Sequence, residues 1–226
     1  MIGTLAKYAE RVYTDEVYAQ GNIEVGVYRE GRDRVIVFRG TDSLQDWLTN
    51  LKASKSSFPA GGSVHTGFLD GWRLVQDHVF SVAARCTGDI YLAGHSLGGA
   101  LAVICALDLA YNGTMAKQVA TFGAPRAGNQ SFCDAYSASG LSAVTTRVTR
   151  QGDLVPLMPF AHWGFRHEDA DWIHVLPDGT LNGKPGLFSQ WVGTAKAWTV
   201  YRATNLFGKA ASLEFHDMRG HREAVT

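Results

Sequence analysis

The stretch Ile90-Tyr91-Leu92-Ala93-Gly94-His95-Ser96-Leu97-Gly98-Gly99-Ala100-Leu101-Ala102 decides how this chain folds. Ile90–Ala93 is a short apolar run that reads as a buried strand. Leu97–Tyr111 is a nearly all-apolar segment of helix length, stopping before Asn112-Gly113. Between them stands Gly-x-Ser-x-Gly, from Gly94 to Gly98. A serine on a sharp strand-to-helix turn needs neighbours without side chains, and these two glycines supply that room. Its hydroxyl then projects above the sheet at the positive end of the helix, where the Leu97 N–H can donate to an oxyanion. The bland alternative is a glycine-rich turn carrying a solvent serine, and the strand–turn–helix setting favours the nucleophile.

Upstream, Arg34–Arg39 predicts a buried strand ended by Gly40. Leu69, Trp72, Val75, Val79, Phe80 and Val82 predict a helix over Phe68–Cys86. Gln118–Phe122 predicts a strand, Gln130–Ser137 a helix and Val144–Thr149 another strand. His162–Phe165 and Trp172–Leu176 predict two more strands, with a tight turn at Pro177-Asp178-Gly179, and mixed helical character from Leu187 onward. This alternation is that of an α/β fold: a mainly parallel central sheet flanked by helices, in a single domain over residues 1–226. In such sheets the functional groups gather at the carboxyl ends of the strands.

Composition removes other classes. With 21 Lys+Arg against 21 Asp+Glu and no basic cluster, the chain has no electrostatic footprint for nucleic acid. A hydrophobic fraction of 46% with 19% charged residues argues for a packed core rather than disorder. The longest apolar stretch, Leu97–Ala110, falls well short of the roughly 20 residues that span a bilayer. Lys7, Glu10 and Arg11 interrupt the N-terminal segment before a leader-like apolar core develops, so the chain reads as cytoplasmic or as a mature secreted product. Cys86, Cys105 and Cys133 are widely spaced with no Cys-x-x-Cys pair, which excludes a disulfide framework and a zinc ribbon.

Seven stretches in order carry a resemblance: VIVFRGTDSLQDWLTNL (35–51), VHTGF (64–68), IYLAGHSLGGALA (90–102), VATFGAPRAGNQSF (119–132), RVTRQGDLVPLMP (147–159), GFRHEDADWI (164–173) and HDMRGHREA (216–224). Together they resemble the class 3, fungal-type lipase family, built on an α/β-hydrolase-like fold. The resemblance implies a Ser-Asp-His triad, acylglycerols and simple fatty-acid esters as substrates, and neither metal nor cofactor. Phospholipids and feruloyl esters also lie within the family's range.

In α/β-hydrolases the triad runs Ser, acid, His along the chain. Asp153 follows the strand Val144–Thr149 closely, and the match of GDLVPLMP to the family pattern gives it the acid role. Asp134 lies in a predicted helix, while Asp169 and Asp171 read as solvated or capping residues. Five histidines follow Asp153. His162, His167 and His174 read as structural or surface residues. His216 and His221 are five positions apart, about 140° around a helix beyond full turns, so both cannot face Ser96 alike. The family's His-x-Met-x-x-Tyr pattern maps the base onto His216 with Met218 in register, and His221 departs from it at the aromatic position, which keeps His221 as the alternative. The resemblance places the second oxyanion donor at Thr41, a residue that also suits a helix cap.

Leu44, Trp47, Leu48 and Leu51 recur at i, i+3, i+4 and i+7 behind a Ser43/Asp46 cap, predicting an amphipathic helix. By resemblance Asp42–Pro59 is the lid candidate, and its polar end, Lys52–Ser57, suits smaller or less interfacial substrates. His65 precedes Ser96 and fits no triad order, so it reads as loop support. Trp191, Trp198, Tyr201, Leu206 and Phe207 read as core or as acyl-pocket lining. Two functions compete with hydrolysis. One is acyl transfer to an alcohol at the same site, and the other is a lipid-binding module with a decayed site. The presence of Ser96, Asp153 and a C-terminal histidine speaks against the second.

Overall fold

The computed structural model describes residues 1–41, 53–176, 181–182, 218 and 225. Helix α1 (Ile2–Arg11) precedes strands β1 (Tyr18–Gln20), β2 (Ile23–Glu30), β3 (Asp33–Phe38), β4 (Lys55–Ser57) and β5 (Ser63–His65). Next in the chain come α2 (Thr66–Ala84), β6 (Ile90–His95), α3 (Leu97–Tyr111), β7 (Gln118–Phe122), α4 (Gln130–Ala138), β8 (Thr145–Arg150), β9 (Asp171–Val175) and β10 (Leu181–Asn182). The central sheet runs β1-β2-β3-β6-β7-β8-β9-β10. It is parallel from β3 through β9 and antiparallel at its two ends.

Strand alternation divides the core in two. Ile36 and Phe38 of β3 and Leu92 of β6 face the cluster built with α2, α3 and α4. Val35 and Val37 of β3 and Tyr91 and Ala93 of β6 face the other way, where Leu5, Ala6, Tyr8 and Ala9 of α1 and Met218 cover them. Every residue of β6 is buried, as expected for a strand covered on both faces. Helix α3 is buried from Leu97 to Leu109, which explains why its apolar residues show no stripe. Its one acid, Asp108, is satisfied in the interior. Trp72 Nε1 and Gln76 Nε2 of α2 each donate to Asp108 Oδ2 at 2.7 Å, tying the two helices together.

One expectation changes. His162–Phe165 is no strand: Ala161–Trp163 forms a 3-10 turn that Gly164 ends in the left-handed region at φ 82°. The turn is closed by Trp163 N–H to Phe160 O and Gly164 N–H to Ala161 O, so these aromatic residues adopt an i to i+3 pattern and not an extended one. The tail of the lid candidate is extended. Lys55–Ser57 pairs antiparallel with Ser63–His65, a hairpin whose tip is closed by Phe58 N–H to Gly62 O. The N-terminal region, read above only for a leader-like core, supplies α1 and two sheet strands. The predicted helix Leu44–Leu51, the turn at 177–179 and the aromatic residues between Trp191 and Phe207 lie outside the described residues.

Candidate active site

Ser96 stands between β6 and α3 with φ 57° and ψ −130°, the sole non-glycine residue at positive φ among the described residues. Such a conformation costs a serine on the order of 1–3 kcal/mol, and the surroundings enforce it. The Ser96 N–H donates to Phe122 O of β7 at 2.9 Å, and the Gly99 N–H donates to Ser96 O at 2.9 Å. A Cβ on Gly94 would strike the Gly98 carbonyl, and a Cβ on Gly98 would strike the Phe38 carbonyl of β3. The room demanded by the glycine pattern is therefore room for backbone. Ser96 Oγ is buried and has no hydrogen-bond partner among the described residues. A buried hydroxyl left in that state points to a partner group or a reacting atom.

The segment that carries Thr41 leaves the neighbouring strand. Phe38 of β3 pairs with Gly94 of β6, so the carboxyl ends of the two strands lie side by side. Beyond β3 the chain turns through Gly40 to Thr41. A Cβ on Gly40 would lie 3.0 Å from Ser96 Cβ and 2.9 Å from His95 O, so the turn abuts the serine elbow. Leu97 is the first residue of α3, and a first-turn N–H has no acceptor within its own helix. Thr41 thus follows a glycine packed against the serine-bearing turn, and Leu97 follows Ser96 directly.

Asp153 follows β8, two strands away from β6, and is buried. Its Oδ1 accepts the Val155 N–H at 2.9 Å, which orients the carboxylate. The loop behind it is held carbonyl by carbonyl. His167 Nε2 donates to Pro156 O at 2.7 Å, Arg126 Nη1 donates to Leu157 O and Pro159 O, and the Arg126 N–H donates to Met158 O at 2.7 Å. Two residues thus engage four consecutive carbonyls, and the sequence pattern singles out neither as functional. Arg126 sits in the Gly-Ala-Pro-Arg loop after β7, and a charged residue in an otherwise small, apolar turn is the signal that could have found it.

The electrostatics around this loop are unusual. Burial and the nearby Arg147 and Arg126 hold His167 well below the ordinary imidazole pKa, so it stands neutral and donates from Nε2. Burial, with the neighbouring Arg147 and Arg166, lowers Arg126 to about 10. Burial raises the Glu168 carboxyl, and the Arg147 guanidinium opposes that shift.

The other candidates now have places. His174 Nδ1 meets Thr149 Oγ1 at 2.9 Å, and that oxygen also accepts Trp172 Nε1–H at 2.7 Å, a cross-strand network between β8 and β9. His162 stacks on Phe160 in the exposed 3-10 turn. His65 is the residue just before α2, and its ring packs against Phe68 and Phe165. Asp134 accepts from Gln130 on the surface of α4. His216 and His221 lie outside the described residues, while Met218 between them is buried in the cluster under α1. No group of His, Cys, Asp and Glu side chains able to hold a metal occurs among the described residues. No helix among them is long and apolar enough to cross a membrane.

Comparison with known proteins gives one consistent result. The family model for lipase (class 3) matches residues 35–163, more than half of the chain. A lipase of Rhizomucor miehei is 32% identical over 172 residues, covering 71% of this chain and 45% of the relative. The secreted mono- and diacylglycerol lipase 1 of Fusarium solani is 31% identical over 161 residues, covering 68% of this chain and 45% of that one. The solved structure of the Rhizomucor miehei lipase propeptide complex superposes with a TM-score of 0.71 at 23% identity, over 80% of this chain and 70% of that one. The chain spans a little under half the length of these two curated relatives.

Proposed function

Because the chain belongs to the class 3 lipase family, we propose that it is a serine carboxylic-ester hydrolase acting on acylglycerols and fatty-acid esters. The observation that carries this reading is Ser96, a buried serine held at φ 57° on a strand-to-helix turn. Its hydroxyl lacks a hydrogen-bond partner among the described residues.

In this reading Ser96 Oγ attacks the ester carbonyl while the His216 imidazole takes its proton. Asp153, oriented by Val155 N–H, accepts from the other ring nitrogen, holds the tautomer and stabilises the imidazolium. The carbonyl oxygen becomes an oxyanion between the Leu97 N–H and Thr41. Collapse expels the alcohol, which takes the proton from His216, and leaves an acyl group on Ser96. Water activated by the same imidazole attacks the acyl carbon, and the acid departs with Ser96 Oγ restored. Every step is proton transfer and acyl transfer by side chains, in accord with a site of Ser, His and Asp alone. The substrate is drawn from a lipid–water interface, in line with the substrate class of the family.

The test is ester turnover by wild type and Ser96→Ala on a panel of nitrophenyl esters and emulsified triglycerides. Loss of about 10³-fold or more in the variant, with the fold retained, is the expected result. Retention of a tenth of wild-type turnover removes Ser96 as nucleophile. Adding a competing alcohol to the assay separates hydrolysis from acyl transfer by the products formed.

A further inference from the structure

We propose that Tyr13 is a positioning residue that fixes the oxyanion turn against the nucleophile. Its role presupposes the Ser96 nucleophile and Thr41 donor proposed above. Tyr13 follows α1, far in sequence from every triad candidate. Its hydroxyl accepts the Gly40 N–H at 3.1 Å and meets His95 Nδ1 at 2.8 Å. One oxygen thus joins the residue before Thr41 to the residue before Ser96.

The surroundings are built around this oxygen. A Cβ on Gly40 would come within 2.5 Å of Tyr13 Oη, so glycine at that position is what lets the phenol reach the backbone. The Arg39 guanidinium lies 5.0 Å from the Tyr13 ring centroid and pairs with Glu24 of β2, fixing the ring from its face. The Arg39 N–H also donates to Glu24 O at 3.0 Å, which anchors the end of β3 just before the turn.

The physical consequence concerns distance. An oxyanion donor acts within about 2.7–3.1 Å of the developing charge. The Gly40 N–H has no strand partner to hold it once β3 has ended at Phe38. The phenol replaces that partner and sets where Thr41 begins. Without the hydroxyl the turn gains freedom at the position where displacement is most costly, since a misplacement of about 1 Å can lower turnover by roughly 10²-fold.

Tyr13→Phe removes the oxygen and keeps the ring. Turnover per active site, with sites counted by fluorophosphonate titration, is expected to fall about tenfold while KM stays within about twofold. Affinity for phenylboronic acid, which forms a tetrahedral adduct on the serine, should fall by a similar factor, since it uses the same donors. In a measurement independent of activity, the Gly40 amide should be protected from hydrogen exchange in wild type and exchange at least about tenfold faster in the variant. Unchanged turnover per site with unchanged boronate affinity overturns the proposal. So does a loss confined to the number of titratable sites, which is the signature of a merely structural residue. If the variant does not fold, the wild-type protein decides: an unprotected Gly40 amide overturns the proposal and a protected one supports it. Ser96→Ala, run beside it, separates the two ideas. Ser96-dependent turnover with no effect at Tyr13 rejects Tyr13 alone, and turnover indifferent to Ser96 rejects both.

Discussion

Replacing Ser96 by glycine should stabilise the protein relative to replacing it by alanine, although neither variant is expected to turn over esters. The argument is local. At φ 57° and ψ −130° a Cβ is disfavoured whatever the side chain carries, so alanine keeps the strain of serine and glycine releases it. Residues held in such regions cost about 1–3 kcal/mol. Glycine loses more chain entropy on folding, which offsets about 0.4–1 kcal/mol of that relief. With the strain near the middle of its range, about 2 kcal/mol, Ser96→Gly is expected to exceed Ser96→Ala by about 1–1.6 kcal/mol. At about 2–4 °C per kcal/mol for a domain of this size, the thermal midpoints should differ by about 2–6 °C. Urea unfolding at equilibrium, with fluorescence and circular dichroism followed together, reads the same difference as a shift in midpoint at constant slope. An alanine variant as stable as the glycine variant would show that the elbow is unstrained. The same finding would remove the conformational argument for Ser96 as a residue retained for function at a cost in stability.

The base is settled by two variants: His216→Ala should abolish ester turnover and His221→Ala should lower it only modestly, with the reverse pattern moving the base by five residues. Thr41→Val should lower kcat by up to about 10²–10³-fold, less than loss of the nucleophile, because one hydroxyl is deleted and the backbone N–H remains; an unchanged rate restricts Thr41 to its backbone. Stability should fall on mild acidification. His167 has a folded-state pKa depressed far below its ordinary value, so below about pH 6.5 the unfolded chain binds a proton that the folded protein refuses. Unfolding free energy then drops by up to about 1.4 kcal/mol per pH unit from this residue, and His167→Gln should flatten the slope. Glu168, whose carboxyl pKa is raised, acts in the opposite sense at lower pH, because the folded state there takes up its proton first. A denaturation series showing equal acid slopes for wild type and His167→Gln would refute the assignment.

Much of the framework is legible in local pattern. The boundaries of α3 (Leu97–Tyr111) and β7 (Gln118–Phe122) coincide with those read from apolar runs and Gly-bearing turns. The element that misleads is Ala161–Trp163, where aromatic residues of strand character sit in a 3-10 turn because Gly164 takes φ 82° and ends it. Helix α1 and the residue just past it carry an apolar spacing at Leu5, Ala6, Tyr8, Ala9 and Val12 that is visible in the sequence. The side chain that bears on the site, Tyr13, stands beyond the end of that helix, and apolar spacing says nothing of its hydroxyl.

The local order around Ser96 is a property of the sequence itself. A buried strand, two glycines that clear backbone and an apolar helix force the strand–turn–helix, and with it the edge of the sheet where chemistry gathers. Likewise the sequence puts Asp153, the proposed acid, a few residues after β8. Which distant groups hold these residues is set by the folded arrangement. Tyr13 reaches Gly40 and His95, and Arg126 with His167 binds the carbonyls from Pro156 to Pro159, through contacts that join segments remote in the chain. Such partners carry no periodicity or motif of their own, because a hydrogen bond to a backbone group selects a position in space and leaves the intervening sequence free.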